Sequence, residues 1–203
     1  MKVAASLFAL LALAACNRPA QTTTTTVETT TTAPAAAPAA PVTPVSYPPV
    51  EPLPPGRPGA LPDDRTPISE APFTATSVQG AADVVQVYFA LIGEKDYARA
   101  WKQWRDGTLS GFKTEAEFAA SFGQYLEYRG LVGAPGESDG AAGSIYIDVP
   151  VQVYGRRADG RELHQLGKAT LKRVNDVDGA TAEQLLWRIV KLDLAPAPID
   201  GRR

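Results

Sequence analysis

Side chains that could catalyse acid–base chemistry or bind a metal are few and scattered in this chain of 203 residues. The sequence has one histidine, His164, and one cysteine, Cys16. His164 follows Leu163 on a strand-like stretch, and alternation places it on the opposite face, toward solvent. Asp148 falls on the polar side of its own strand, away from the aliphatic face that should meet the core. We therefore predict no catalytic residue.

The remaining groups do not form a site for a metal or a phosphate either. Glu94, Asp96 and Asp106 fall at predicted helix ends, where carboxylates cap. Since the histidine and cysteine stand alone and no carboxylates cluster, we expect no metal site and no cofactor. The glycine-rich residues 140–143 lead into a strand, whereas a phosphate-binding loop leads into a helix. We expect residues 134–144 to form a hairpin loop.

Cys16 ends an apolar run that begins after Lys2, and it directly follows Leu13-Ala14-Ala15. A basic start, a short apolar core and small residues before a cut point are typical of a secretory signal peptide. The run over residues 3–15 is shorter than the roughly 20 residues that a spanning helix needs. The Leu-Ala-Ala-Cys sequence resembles the lipobox of bacterial lipoproteins. The alternative is an ordinary secreted protein with a chance cysteine near its cleavage site.

The lipobox resemblance implies a processed and anchored protein. Cleavage would follow Ala15, diacylglycerol would be attached to the Cys16 thiol, and the new amine would carry an acyl chain such as palmitate. More than one chain is needed for stable anchoring. Asn17 follows, whereas Asp at this position resembles the signal that keeps lipoproteins in the inner membrane. We therefore expect the protein at the periplasmic face of the outer membrane.

Charge and composition divide the chain and limit its partners. The sequence carries 20 Lys and Arg against 22 Asp and Glu, and no basic cluster that would bind nucleic acid. Most of its eighteen prolines and two threonine runs lie in residues 17–72. Such a segment cannot offset the entropy of ordering. We predict a signal peptide over residues 1–15, a lipidated and disordered linker over 16–72, a domain over 73–195 and a tail over 196–203.

The domain opens with two predicted helices. A capping box at Thr76 precedes apolar residues at helical spacing, and Gly93 ends this helix. Asp96 caps a second, shorter helix, which Asp106-Gly107 ends. Trp101 is expected on its buried side, facing the sheet. The apolar faces of the two helices consist of Ala81, Val84, Val85, Tyr88, Phe89 and Ile92, and of Tyr97, Ala100, Trp101 and Trp104.

A third helix and then strands follow. Thr114 and Glu117 form a second capping box, with Phe118, Phe122 and Tyr125 aligned on one face. Alternation predicts strands near residues 128–134, 145–154, 162–174 and 184–194, with a hairpin turn at Asp159-Gly160. Pro150 indicates a bulge or an edge stretch, and Gly167 a bulge. The last strand is apolar on both faces and is predicted to be central. The fold class is α+β, with three helices followed by an antiparallel sheet of about four strands.

This order of elements resembles the nuclear-transport-factor-2-like (NTF2-like) domains. The likeness rests on Val84-Val85-Gln86-Val87-Tyr88-Phe89-Ala90-Leu91-Ile92 followed by Lys95-Asp96-Tyr97-Ala98-Arg99-Ala100-Trp101, and it covers about residues 78–194. The resemblance implies a cone in which the sheet wraps around the helices, often with a pocket at its open end. Members include isomerases, dehydratases and non-catalytic binding modules.

Two sets of side chains could form a binding surface. The aromatic residues could line an apolar pocket or simply form the core: Tyr88, Trp101, Trp104, Phe118, Phe122, Tyr125 and Trp187. Tyr146, Asp148, Gln152 and Tyr154 share the outer face of the sheet. In the resembled superfamily that face often makes a dimer, although such a face can equally be solvent-facing.

The sequence favours a lipid-anchored envelope protein whose single domain binds a protein partner or a small apolar ligand without catalysis. A homodimer or an envelope protein is the expected partner, besides the membrane itself. One alternative is an isomerase or hydratase that uses an acid elsewhere in the domain. Another is a structural envelope protein whose linker is the functional part. A carboxylate deep in the pocket beside a tyrosine would favour the enzyme.

Overall fold

The computed structural model describes residues 46–63 and 72–199. The predicted signal peptide, Cys16 and most of the predicted linker lie outside these residues, as do residues 200–203. Lipidation and the anchor therefore stay predictions. In the part of the chain that is described, no helix combines the length and apolar character that a membrane crossing requires.

Helix α1 covers Val78–Gly93 and provides the main helical face of the domain. Its N-cap is Ser77, whose hydroxyl accepts a hydrogen bond from the Gly80 amide. The cap therefore lies one residue after the predicted Thr76, since both residue types can cap. The helix ends at Gly93, as predicted.

Helices α2 and α3 are short, and both begin at the predicted caps. Asp96 caps α2 (Tyr97–Trp101), and Thr114 caps α3 (Glu115–Ser121), where Glu117 reaches back to the Lys113 amide. Helix α2 ends earlier than predicted, so Trp104 is not part of it. Trp101 is half-buried against Phe118 of α3, with ring centroids 5.2 Å apart, and against Gly107. The prediction that Trp101 faces the sheet is therefore wrong.

Within residues 46–63 and 72–199, five antiparallel strands form one sheet. They are β1 (Tyr125–Val132), β2 (Asp139–Ala141), β3 (Ser144–Arg157), β4 (Glu162–Val174) and β5 (Arg188–Pro196). The order is β1-β3-β4-β5, and the short β2 pairs with β3. Strand β4 has the predicted bounds, and the Asp159-Gly160 turn joins β3 to β4 with Gly160 at a φ of 87°. The observed fold class, three helices followed by an antiparallel sheet, is the predicted one.

Strand β5 lies at an edge of the sheet, so the prediction of a central strand is wrong. Residues 185–187, which contributed to both apolar faces of the predicted strand, lie before β5. The outer edge of β5 is covered by another segment. Ile189 donates to the Gln103 carbonyl at 3.0 Å and accepts from the Arg105 amide at 2.8 Å. Those residues come from the turn after α2, which takes the place of a sixth strand.

The two residues expected to disturb the strands behave differently from each other. Gly167 is in regular register with Val151 and with Leu194, so it is not a bulge. A Cβ there would lie 1.8 Å from the Asp193 carbonyl oxygen, so glycine is required by a close approach of the two strands. The register shift of β4 and β5 falls instead between Thr170 and Leu171. The β1–β3 register pairs end next to Pro150, whose carbonyl accepts a hydrogen bond from the Gly133 amide.

The core lies between the inner face of the sheet and the helices. Odd-numbered residues of β3 form its aliphatic side, and Val149, Val151 and Val153 are fully buried. Aromatic rings from the helices and from Trp187 complete the core. The Trp187 indole donates to the Ser77 carbonyl at 2.7 Å, which ties the start of α1 to the segment before β5.

Candidate binding groove

Residues 46–63, here called the arm, lie against the outer face of the sheet. We predicted these residues as part of a disordered linker, and for this part the prediction is wrong. Val50 and Leu61 are only 4% and 6% exposed. Gly59 lies so close to Ala197 that a Cβ on it would be 2.8 Å from the alanine side chain. The folded domain therefore includes the arm, and it extends past residue 195 on the C-terminal side.

Gln152 fixes the centre of the arm. Its side chain is fully buried, its amide donates to the Leu53 carbonyl, and its carbonyl accepts from the Leu61 amide, both at 3.3 Å. A buried side-chain amide must be hydrogen-bonded to be tolerated. The arm thus satisfies a polar residue that the sheet alone would leave exposed.

Arg156 fixes the start of the arm. Its guanidinium donates to the carbonyls of Pro48 and Gly160, each at 3.0 Å, and stands 4.9 Å from the centroid of the Tyr47 ring. Nearby, the Val50 amide donates to the Glu127 carboxylate at 3.2 Å. These contacts are directional and involve mainly the arm's own backbone.

His164 lies on the outer face, as alternation predicts, but it is not solvated. Its side chain is 10% exposed, and Nε2 lies 3.5 Å from a carboxylate oxygen of Glu162. Nδ1 is buried and has no hydrogen-bond partner among the described residues. The prediction of a solvent-facing histidine fails because the outer face of the sheet is covered at this end.

The four residues proposed for a dimer face are divided by the arm. Gln152 is buried beneath it and Tyr154 is half-buried. At the uncovered end, Asp148 binds Lys168 and Thr170, and the Lys172 ammonium stands 5.0 Å from the ring centroid of Tyr146. Burial raises the pKa of Asp148, but hydrogen bonds from Lys168 and Thr170 and the charges of Lys168 and Lys191 hold it below its ordinary value. Only Tyr146 and Asp148 lie at an open outer face.

The aromatic residues proposed as a pocket lining fill the inside of the cone. Phe118 is 1% exposed and contacts four other rings, those of Tyr88, Trp101, Phe112 and Phe122. Tyr88, Trp104 and Trp187 are also buried. Burial raises the pKa of the Tyr88 phenol, so that it stays protonated. Of the seven residues, only Phe122 and Tyr125 border an open cavity.

That cavity is a groove of about 1550 Å³ along the edge of β1. Its floor is β1, which among the described residues pairs with β3 alone. Helix α1 forms one wall, through Gln79, Ala82, Asp83, Gln86, Phe89 and Ala90. The arm forms the opposite wall, through Leu53, Pro55, Leu61 and Pro62. Ligand pockets typically measure roughly 300–1,000 Å³, so this groove is larger than a typical pocket. It extends along all of β1, which suits an elongated occupant.

The floor of the groove offers hydrogen-bonding groups. Gly133 donates to Pro150, its partner in register, so the odd-numbered residues of β1 direct their main-chain groups toward β3. The N–H and C=O groups of Tyr128, Gly130 and Val132 therefore point toward the groove. Burial raises the pKa of the Tyr128 phenol, and the neighbouring phenols of Tyr88 and Tyr125 raise it further, so that it stays protonated.

Charged side chains lie along the groove without forming a catalytic pair. Arg129 and Glu127 are joined at 2.8 Å, and Glu127 also holds the arm. Asp83 on α1 and Glu94, which follows the last residue of α1, are exposed. Among the described residues, no three His, Cys, Asp or Glu side chains are placed to share a metal ion. The arrangement is suited to enclosing apolar groups between two walls and to hydrogen-bonding along one strand edge.

Comparison with known proteins gives likenesses of fold only. No family model matches the chain, and no curated protein matches it. Several solved structures do match the chain. An NTF2-like superfamily protein from Salmonella enterica is 14% identical, with 62% of this chain and 94% of that chain covered and a TM-score of 0.42. A protein from Kribbella flavida is 14% identical, with 61% and 93% covered and a TM-score of 0.43.

A third solved structure is an NTF2-like family protein from Streptomyces avermitilis, described as a candidate dehydratase. It is 9% identical, with 61% of this chain and 99% of that chain covered and a TM-score of 0.39. The architecture of this chain is three helices before an antiparallel sheet, as the sequence predicts.

The arm is the part of the groove that our sequence reasoning missed. A weak signal was present, because Tyr47, Val50, Leu53 and Leu61 are large residues in a segment otherwise rich in Pro, Ala and Gly. The four residues face the sheet or the groove. The overall composition predicted disorder in spite of these residues, because prolines dominate the segment.

Proposed function

We propose that this protein is a lipid-anchored protein of the bacterial envelope whose NTF2-like domain binds an elongated apolar ligand, or an apolar segment of a protein partner, without catalysis. The anchor is the lipobox cysteine, Cys16. The binding site is the groove between α1, β1 and the arm.

One observation carries the proposal: the groove is large and its arm wall is apolar, while the α1 wall mixes polar and apolar side chains and the centre of the domain is filled by rings. Phe118 and its neighbours occupy the space in which a cone of this kind would hold a central ligand. Leu126 is 56% exposed and adds apolar surface at the groove.

Binding of the neutral fluorescent probe N-phenyl-1-naphthylamine tests the groove. Leu126→Asp removes apolar surface at the groove and should weaken probe binding about tenfold, equal to about 1.4 kcal/mol. Leu109→Asp is the matched control, because Leu109 is similarly exposed, at 47%, but does not line the groove. Equal affinities of the two variants and the wild type would overturn the proposed site.

Membrane fractionation tests the anchor separately. The wild-type chain should partition with the outer membrane, and Cys16→Ser should release the protein into the soluble periplasmic fraction. A Cys16→Ser protein that still fractionates with that membrane would refute the lipid anchor.

A further inference from the structure

We propose that the arm couples occupation of the groove to the reach of the domain from its membrane anchor. This inference rests on the proposed function, because it concerns regulation of the same groove. The arm is a wall of the groove and also the stretch through which the chain leaves the domain toward Cys16. Docking of the arm and binding of an apolar ligand therefore support each other.

The two sides of the arm make different contacts. One side is held on the sheet through Gln152 and Arg156. The other side presents Leu53, Pro55 and Pro62 to the groove, and the buried Leu61 lies between the sheet and the groove. If the arm left the sheet, the groove would lose a wall and a ligand would lose those contacts. A bound ligand therefore favours the docked arm.

The arm can leave without unfolding the core because the two are held by different means. Its described contacts with the domain are a few hydrogen bonds, two buried apolar side chains (Val50 and Leu61), the Tyr47 ring on Arg156 and the close approach of Gly59 to Ala197. The helices and the inner face of the sheet form their own core cluster. Such separately held segments open at lower free energy than the core does.

Release of the arm changes the reach of the domain. Residues 46–63 would add roughly 55 Å of chain at about 3.1 Å per residue, if extended as polyproline II. The contacts nearest to the anchor in sequence are those of Tyr47 and Pro48 with Arg156. A pull from the membrane side would reach these contacts first and would peel the arm from that end.

Arg156 and Tyr47 allow the coupling to be tested, since neither lines the groove. They act on a ligand only through the arm, so Arg156 is a positioning residue here. Linkage requires that docking of the arm raises ligand affinity by the same factor by which a bound ligand favours docking. Couplings of this kind are typically about fivefold or more.

The experiment uses the full mature chain with Cys16→Ser as the wild-type background, so that no detergent competes for the probe N-phenyl-1-naphthylamine. Hydrogen–deuterium exchange at the Val50 and Leu61 amides measures docking. In the wild type, saturating probe should slow exchange at both amides. Arg156→Ala should speed that exchange and weaken probe binding about fivefold, and Tyr47→Ala should do both to a smaller extent. Tyr47→Ala is the second variant, for the case in which Arg156→Ala does not fold. Tyr47 is 42% exposed, so its truncation should leave the fold intact. Arg161→Ala, at an exposed hairpin position, should change neither measurement.

Two different results would count against the account. Faster exchange in both variants with unchanged probe affinity would overturn the coupling and leave the groove as a binding site. A wild type that does not bind the probe would overturn the proposed function, and the coupling with it, even if the arm remains protected from exchange.

Discussion

The two faces of the sheet are covered in different ways. The inner face meets α1 and α3 through aliphatic and aromatic side chains, and its residues Val149, Val151 and Val153 are fully buried. The outer face meets the arm through hydrogen bonds from Gln152 and Arg156 to the arm's backbone. Apolar packing is non-directional and large in sum, whereas a few hydrogen bonds are each modest in net terms. The inner cover therefore holds the fold, and the outer cover is separable.

Phe118→Ala should give the largest effect, because it removes the centre of the inner ring cluster. Truncation of a buried phenylalanine typically costs about 3–5 kcal/mol. Urea unfolding at neutral pH measures the loss. Phe73→Ala is the control, since Phe73 is 49% exposed, and it should change stability little. A loss below about 1 kcal/mol for Phe118→Ala would contradict the assignment of the ring cluster as the core.

Gln152→Ala should give an intermediate effect on the outer side. It leaves the Leu61 amide and the Leu53 carbonyl without their partner, and a buried group left unpaired costs about 1–3 kcal/mol. Hydrogen exchange should become faster at Leu61 and stay unchanged in the core of α1. Gln86→Ala, on the exposed side of α1, is the control. If Gln152→Ala lowered protection from hydrogen exchange equally in α1 and in the arm, the arm would not be separable from the helices that cover the inner face.

Tyr47→Ala should have a small effect on stability. A cation–π contact at an exposed site contributes about 0.5–1 kcal/mol. A double-mutant cycle with Arg156→Ala isolates the contribution of the pair. A coupling energy of zero would mean that the 4.9 Å approach of Arg156 to the ring adds nothing to docking.

Asp148→Asn should have the smallest effect, confined to acid pH at the uncovered end of the outer face. The pKa of Asp148 is lower in the folded state than its usual value of about 3.9. Its contribution is therefore present above pH of about 4 and is lost as pH falls through the lowered folded-state pKa. Urea midpoints from pH 2 to 7 should fall less steeply at the acid end for Asp148→Asn. Identical pH profiles would contradict the lowered pKa.

Local features of the fold could be predicted because they depend on neighbours in sequence. Asp96 and Thr114 cap their helices through hydrogen bonds to residues three positions ahead. The Asp159-Gly160 turn and the bounds of β4 follow from the same kind of local rule. These elements were sufficient to predict the α+β class and the order of helices and strands.

Features that depend on distant contacts could not be predicted in the same way. The hydrogen bond from Leu61 to Gln152 joins residues 91 positions apart. Nothing near Gln152 in sequence shows that it is covered, and its alternation with aliphatic residues marks it as outward-facing. The edge position of β5 was missed for a similar reason, because the turn around Gln103 hides that edge.

The most direct test of the groove is to locate a bound apolar probe between its two walls. With N-phenyl-1-naphthylamine bound to methyl-labelled protein, nuclear Overhauser effects should connect the probe both to Leu61 of the arm and to Leu126 of the β1 floor. Effects only to residues of the inner ring cluster, or to Leu126 without Leu61, would contradict a groove of which the arm is a wall.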